Sequence, residues 1–341
     1  MARMAKEIHF SVSASKIRPP FEIDPTMLFY SPQETVDAFD HPRVVRHHDW
    51  VANDWEPPGG VPRIALIIPC TKFKPYPTSR EHRSINRALI AAGWIPDGTG
   101  LPPLGLEDVL DEDEDHRLLD VGTMIRDGVA LDRIVISEPL GLVPYTHVYE
   151  WGGSTSLASG YDCPGLFESR GTSVSPWRED HTATQTASGR WTWGPAEREA
   201  YVVAHNSLVD LVSQTLCRVR SRYEVIAAWV SPGLTHRSFL MDGIQRKAEG
   251  LPLSRKGVHG LVSLRGVRDQ DSNLLHILPT VEQMADSQTD LAQRLEREGR
   301  SCSPKAVQGV YARGDGHDTP LGLPELLAYL VSWINDNTVN V

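Results

Sequence analysis

The chain has 341 residues, a formal net charge of −10, 40% hydrophobic residues and 23% charged residues. That length buries a substantial core, as one large domain or a main domain with an appendage. No apolar stretch approaches the roughly 18–20 residues of a membrane helix and no apolar signal region opens the chain, so a cytoplasmic protein without membrane contact is expected. The cysteines at 70, 163, 217 and 302 lie too far apart for a C-x-x-C knuckle or a secreted disulfide framework, so no structural metal is expected. No G-x4-G-K-[ST] loop is present to support nucleotide hydrolysis, and no cofactor is expected.

In chain order, residues 1–60 mix short apolar pieces with Pro, Asp and His breaks. They read as an extended arm with one or two short helices, such as 32–38, pinned to the core by Trp50 and Trp55. The run 64–68 is continuous and rich in isoleucine, as in a strand covered on both faces of a parallel sheet. Apolar residues at helical spacing over 84–92, ending near Gly93, predict a helix packed on that sheet. A Pro/Gly-rich linker and the acidic run Asp111-Glu112-Asp113-Glu114-Asp115, read as a solvated segment, precede a second strand at 133–137. Residues 152–189, rich in Gly, Ser and Thr, read as a long functional loop around Tyr161-Asp162.

Gly194-Pro195 with Glu197 and Glu199 predicts a helix start and a helix through Leu216, with Cys217 as a small core residue. A third buried strand follows at 223–230, then a strand at 258–264 and amphipathic helices at 280–298 and 324–335. The alternation predicts an α/β fold, a mainly parallel sheet flanked by helices in three layers. The expected parts are an arm (1–60), the α/β core (61–250) and a helical C-terminal appendage (251–341).

The segment after the first strand concentrates chemistry. Pro69-Cys70-Thr71-Lys72-Phe73-Lys74-Pro75-Tyr76-Pro77-Thr78-Ser79-Arg80-Glu81-His82 packs a thiol, two amines, a phenol, hydroxyls and an imidazole into one loop. In an open α/β sheet the carboxyl end of a strand is where ligands bind. Each group also has a plainer use: Cys70 as a small turn residue, Lys74 as a phosphate-binding cation, Tyr76 as a stacking platform, Ser79 as a helix N-cap and His82 as a phosphate contact. Lys72, Lys74, Arg80, Arg83 and Arg87 around this loop, with Arg218, Arg220 and Arg222, predict a local positive mouth on an acidic body, suited to an anionic polymer.

Written as P-C-x3-K-P-Y-x2-S-x2-H, the loop resembles the signature of the archaeosine synthase family, which modifies a 7-deazaguanine nitrile base in transfer RNA. Ile134-Val135-Ile136-Ser137-Glu138-Pro139-Leu140-Gly141-Leu142-Val143-Pro144 resembles the family's second strand with its PLG-x-VP turn. Tyr161-Asp162-Cys163-Pro164 resembles its YD-x-P element, and His41-Pro42, Trp50 and Pro57-Pro58 resemble the segment before the signature. The similarity spans roughly residues 40–235, the family's core module.

The resemblance implies an amidine-forming transferase that acts on 7-cyano-7-deazaguanine in a polynucleotide and turns the nitrile into an amidine or amine adduct. It implies Cys70, His82 and Asp162 as catalytic residues. Lys74, Tyr76, Ser79, Glu138, Gly141 and Tyr161 are implied as substrate-binding. Cys70 would add to the nitrile as a thioimide-forming nucleophile, with His82 taking its proton and Lys72 and Lys74 favouring the thiolate. Glu138 or Asp162 would accept the N–H donors of the base or orient the amine. The amine donor would be lysine, or ammonia from a partner amidotransferase. No counterpart of the family's RNA-binding or transglycosylase modules is found, so DNA is favoured over tRNA as the polymer. Two other functions stay open: base exchange or glycosidic-bond chemistry through Asp162, and a non-catalytic nucleic-acid binding module.

Overall fold

In the computed structural model, which describes residues 2–167, 171–316 and 319–338, the central strand β1 (Arg63–Pro69) is buried at every position. Its apolar residues have two faces to fill, and both are filled. Ile64, Leu66 and Ile68 enter one core with Ile85 and Leu89 of the helix Arg80–Ala91 and Leu330 and Ile334 of the helix Pro324–Thr338. Ala65 and Ile67 enter the other with Val202, Val209, Val212 and Leu216 of the helix Pro195–Val219. Each fully buried aliphatic side chain of this kind contributes roughly 1.5–3 kcal/mol. Helix, sheet and helix form the expected three layers.

The strands outward from β1 explain the site. On one side β1 runs parallel to β4 (Val129–Ser137), with Ile64 opposite Leu131. On the other it runs parallel to β10 (Val225–Trp229), with Ile64 opposite Val225, and β10 runs parallel to β13 (His276–Leu278). The outer edge of β4 is covered twice by antiparallel strands. β3 (Met124–Arg126) lies along its first half, with β2 (Ile95–Pro96) beyond, and β5 (Gly141–Pro144) along its second half. The sheet is therefore mixed, with a parallel centre of order β13-β10-β1-β4. Asp127 (φ 51°) and Gly128 (φ 82°) make the tight β3–β4 turn, a two-residue Asp-Gly hairpin that starts β4 four residues before the expected 133.

Around this sheet lie α1 (Ala2–Ala14), α2 (Pro32–Asp37), α3 (Pro42–Asp49), α4 (Arg80–Ala91), α5 (Pro195–Val219), α6 (Thr235–Leu240), α7 (Gly243–Ala248), α8 (Val281–Arg297), α9 (Pro304–Ala312) and α10 (Pro324–Thr338). Three small hairpins lie outside the sheet: β6 (Glu150–Trp151) with β7 (Ser154–Thr155), β8 (Thr184–Gln185) with β9 (Trp191–Thr192), and β11 (Ser254–Gly257) with β12 (Gly260–Ser263). No helix among the described residues is long and apolar enough to cross a membrane.

Several expectations are corrected. The arm opens with a 13-residue helix rather than extended chain. The sheet takes its edge strand β13 from beyond residue 250, so the core does not stop there. The strand expected at 258–264 is half of a separate hairpin, because the chain turns back at 258–259 and leaves Leu261 exposed. Cys217 lies on the solvent side of α5, whose buried stripe passes through Val212, Leu216 and Val219. Within the expected 152–189 loop, Tyr161 and Asp162 are buried, and residues 168–170 lie outside the described residues. Trp55 enters the second core and Trp50 packs against it.

Candidate functional site

Three adjacent parallel strands each deliver one side chain at their carboxyl ends. Cys70 follows β1, Glu138 follows β4, and His236 lies in the first turn of α6, a few residues after β10. α4, which follows β1, and α6, which follows β10, pack into opposite cores, so the chain leaves these two neighbouring strands toward opposite faces and opens a crevice between them, where the strand order reverses. Cys70 Sγ is 3.4 Å from His236 Nε2 and 3.8 Å from Glu138 Oε2, and the same His236 Nε2 is 3.1 Å from Glu138 Oε2.

Glu138 and His236 are buried, while Cys70 is half-buried. Burial works against the charged imidazole of His236, but the Glu138 carboxylate and the Cys70 sulfur outweigh it and hold the His236 pKa well above the ordinary value. Burial likewise opposes the Glu138 charge, and His236 overrides it, so that carboxyl stays below its usual range. His236 Nδ1 and Glu138 Oε1 are buried and have no hydrogen-bond partner.

The three side chains line a cavity of about 140 Å³ together with Lys16, Lys74, Tyr161 and Asp162. Lys74 is buried, donates to the Thr71 carbonyl, and lies 4.7 Å from the centre of the Tyr161 ring, a cation–π contact. Tyr161 bonds Ser137 Oγ and, at 2.8 Å, the hydroxyl of Tyr76, which supports it from the core side. Burial pushes both phenols well above the ordinary tyrosine range.

Asp162 accepts from Ser13 Oγ at 2.6 Å and pairs with Lys16. These two partners come from the arm, which backbone hydrogen bonds stitch to both site loops. Lys74 N–H donates to the Lys16 carbonyl (3.0 Å), Arg18 N–H to the Lys74 carbonyl (2.8 Å) and Phe29 N–H to the Asp162 carbonyl (3.0 Å). Behind Glu138, His48 Nε2 donates to the Pro139 carbonyl (2.8 Å) and His47 Nε2 to that of Leu142 (3.0 Å), fixing the turn that aims the carboxylate.

Not every expected residue reaches the cavity. His82 lies outside it: its Nε2 donates to the Pro69 carbonyl (2.9 Å), its Nδ1 accepts from the Tyr145 hydroxyl (3.1 Å), and burial lowers its pKa to about 4. The imidazole at Cys70 is His236 instead. Ser79 caps α4, accepting from the His82 N–H at 3.2 Å. Gly141 packs on α5, where a Cβ would come 2.5 Å from Leu211 Cδ2, and its φ of 75° suits glycine.

The basic mouth is largely spent inside the molecule. Glu114 of the acidic run pairs with Arg83 and Arg87, Arg218 donates to the carbonyls of Val51, Ala52 and Trp55, and Arg222 pairs with Glu56. Sequence reasoning missed Lys16 and His236. The one local hint for His236 is its place just after the Ser231-Pro232-Gly233 turn that ends the third strand.

Cys70, Glu138 and His236 are, among the described residues, the one set of three metal-ligating side chains whose donor atoms all lie within 4.8 Å of one another. Compared with family models, curated proteins and solved structures, the chain gives no match.

Proposed function

We propose that the protein converts the nitrile of a 7-cyano-7-deazaguanine base in a polynucleotide, DNA in preference to tRNA, into an amidine or amine adduct. The observation that carries this proposal is the gathering of the three motif-borne elements at one cavity: Cys70 and Lys74 of the signature loop, Glu138 of the second strand end, and Tyr161 with Asp162. A nitrile needs a nucleophile at carbon and a proton at nitrogen, and a guanine-like edge offers N–H donors to a carboxylate.

In the ion-free protein the Cys70 sulfur adds to the nitrile carbon. One C–N π bond breaks, the nitrogen takes a proton from His236 Nε2, and a thioimidate forms. An amine then adds to the same carbon and gives one proton back to His236, and the C–S bond breaks, which returns the sulfur as thiolate and leaves the amidine. Tyr161, backed by Tyr76 and covered by Lys74, would form part of the wall around the base, and Asp162 would accept its N–H groups. Arg18, Lys72 and Arg80 line a second groove, shared with Asp108 and Asp111, and would be the side chains to meet phosphates.

Two features weigh against the other functions. Asp162 is held by Lys16 and Ser13, which makes it a poor carboxylate nucleophile for base exchange. Cys70 faces the cavity rather than being sealed in the core, as a purely structural thiol in a binding module would be.

The test is mass spectrometry of nucleosides from DNA and from tRNA of cells that make the nitrile base, with wild-type protein and Cys70→Ala. A new amidine-type nucleoside in one pool, lost in the variant, is the expected result and names the polymer. Unchanged pools with the donor demonstrably present would refute the proposal.

A further inference from the structure

We infer that Cys70, Glu138 and His236 bind one divalent ion of the zinc class, with its fourth coordination position open to the cavity. The inference stands on three donor atoms and not on the substrate proposed above. A tetrahedral ion bonded at about 2.3 Å to sulfur, 2.0–2.1 Å to nitrogen and 2.0–2.2 Å to oxygen sets its ligands roughly 3.4–3.6 Å apart. The edges of the donor triangle here are 3.4, 3.8 and 3.1 Å. An ion therefore fits with shifts of about 0.3 Å.

A hydrogen-bonded Cys–His–carboxylate relay does not fit as well. A relay uses the two imidazole nitrogens for two different partners, as in a catalytic triad. In this site Nε2 alone faces both Sγ and Oε2, and Nδ1 has no partner. Convergence of S, N and O on one point is the arrangement of ligands around an ion.

Charge and donor type select the ion. A thiolate, a carboxylate and a neutral imidazole sum to two negative charges in a buried place, which a divalent cation cancels. One sulfur and one imidazole nitrogen favour zinc over magnesium or calcium, which prefer oxygen. Three protein ligands and an open position facing a cavity are the pattern of a catalytic rather than a structural zinc site. Glu138 Oε1 is buried and without a partner, so the carboxylate keeps one oxygen beyond the one that faces the other two donors. With the ion bound, Cys70 is a ligand, no C–S bond forms, and the ion polarises the nitrile or the incoming amine in its place.

The full chain, purified without chelator, is assayed for metal by plasma mass spectrometry and titrated with zinc against a chromophoric chelator. Cobalt is then substituted to look for a thiolate-to-metal charge-transfer band. One zinc per chain and a cobalt–thiolate band are expected, with affinity at least about 100-fold weaker in Cys70→Ser and in His236→Gln. Cys163→Ser, which removes the other cysteine lining the cavity, keeps the ion. Folded wild-type protein that binds no zinc overturns the inference, as does full retention of zinc in folded Cys70→Ser or loss of zinc in folded Cys163→Ser. Zinc binding with unchanged nucleosides refutes the proposed substrate and keeps the site. Amidine formation by zinc-free, zinc-refusing protein does the reverse.

Discussion

The turn after β1 and the turn after β10 each lead into a helix that starts with a buried histidine, and the two histidines have opposite fates. His82, inside the signature, spends both nitrogens on a carbonyl and a phenol, and burial holds it neutral with a pKa near 4. His236, outside the signature, meets a carboxylate and a sulfur, and its pKa is driven up despite equal burial. Burial is common to both, so the charge on the facing strand end decides. A motif residue is here packed into the core, and the imidazole beside Cys70 is one the motif omits.

The comparison breaks first at His236. His236→Gln is expected to lower the turnover read by nucleoside mass spectrometry by about 10²–10⁴-fold, along with a lower urea unfolding midpoint because buried Glu138 loses its counter-charge. Equal loss of activity from His82→Gln in a protein of unchanged stability would reverse the two roles.

His82→Ala carries the next largest effect, on stability. It leaves the Pro69 carbonyl and the Tyr145 hydroxyl without partners in the core, a loss of about 2–3 kcal/mol, read as a lower urea midpoint at constant m-value.

The neutral His82 and His47, the latter lowered by burial to about 3, also set an acid limit. Both take a proton in the unfolded chain near pH 6.5 but resist it when folded. Their contribution is thus complete above about pH 6.5 and is lost as the pH falls, through about 4 for His82 and about 3 for His47. Urea midpoints should decline over that window, and His82→Gln should flatten the slope. A flat profile in the wild type would mean that neither imidazole is buried neutral.

Lys16→Met sharpens the contrast between arm and strand ends. It removes the ion partner of Asp162, leaves Ser13 in place, and is expected to cost about 1–2 kcal/mol because Lys16 is partly exposed. The smallest effect is that of Ser79→Ala, about 1 kcal/mol from loss of the α4 cap. A larger loss of activity than of stability in Ser79→Ala would place Ser79 in the chemistry after all.

The layers and the central strand were legible in the sequence, since an unbroken run such as 64–68 has only one comfortable place, the middle of a covered sheet. Cys70 and Glu138 were legible as strand-end residues for the same reason. His236 was not: α6 has six residues, too few for a periodic pattern, and its distance from Cys70 is set by the pairing of β10 with β1. Lys16 was hidden because the bridges from Ile17 to Lys74 and from Leu28 to Asp162 leave no local mark on the arm. The basic cluster misled because charge counts do not show which guanidiniums are already engaged by Glu114 and by carbonyls.

Cys70 and His236 stand 166 positions apart, with the arm closing over both motif loops from the other end of the chain. During translation Cys70 therefore leaves the ribosome as an ordinary thiol and meets its imidazole only after β10 and α6 have emerged and docked. The three side chains thus come together only once α6 has joined the strands that carry the other two. A proteolytic nick in the arm would act in the opposite sense, detaching Lys16 and Ser13 while the strand-end donors stay together.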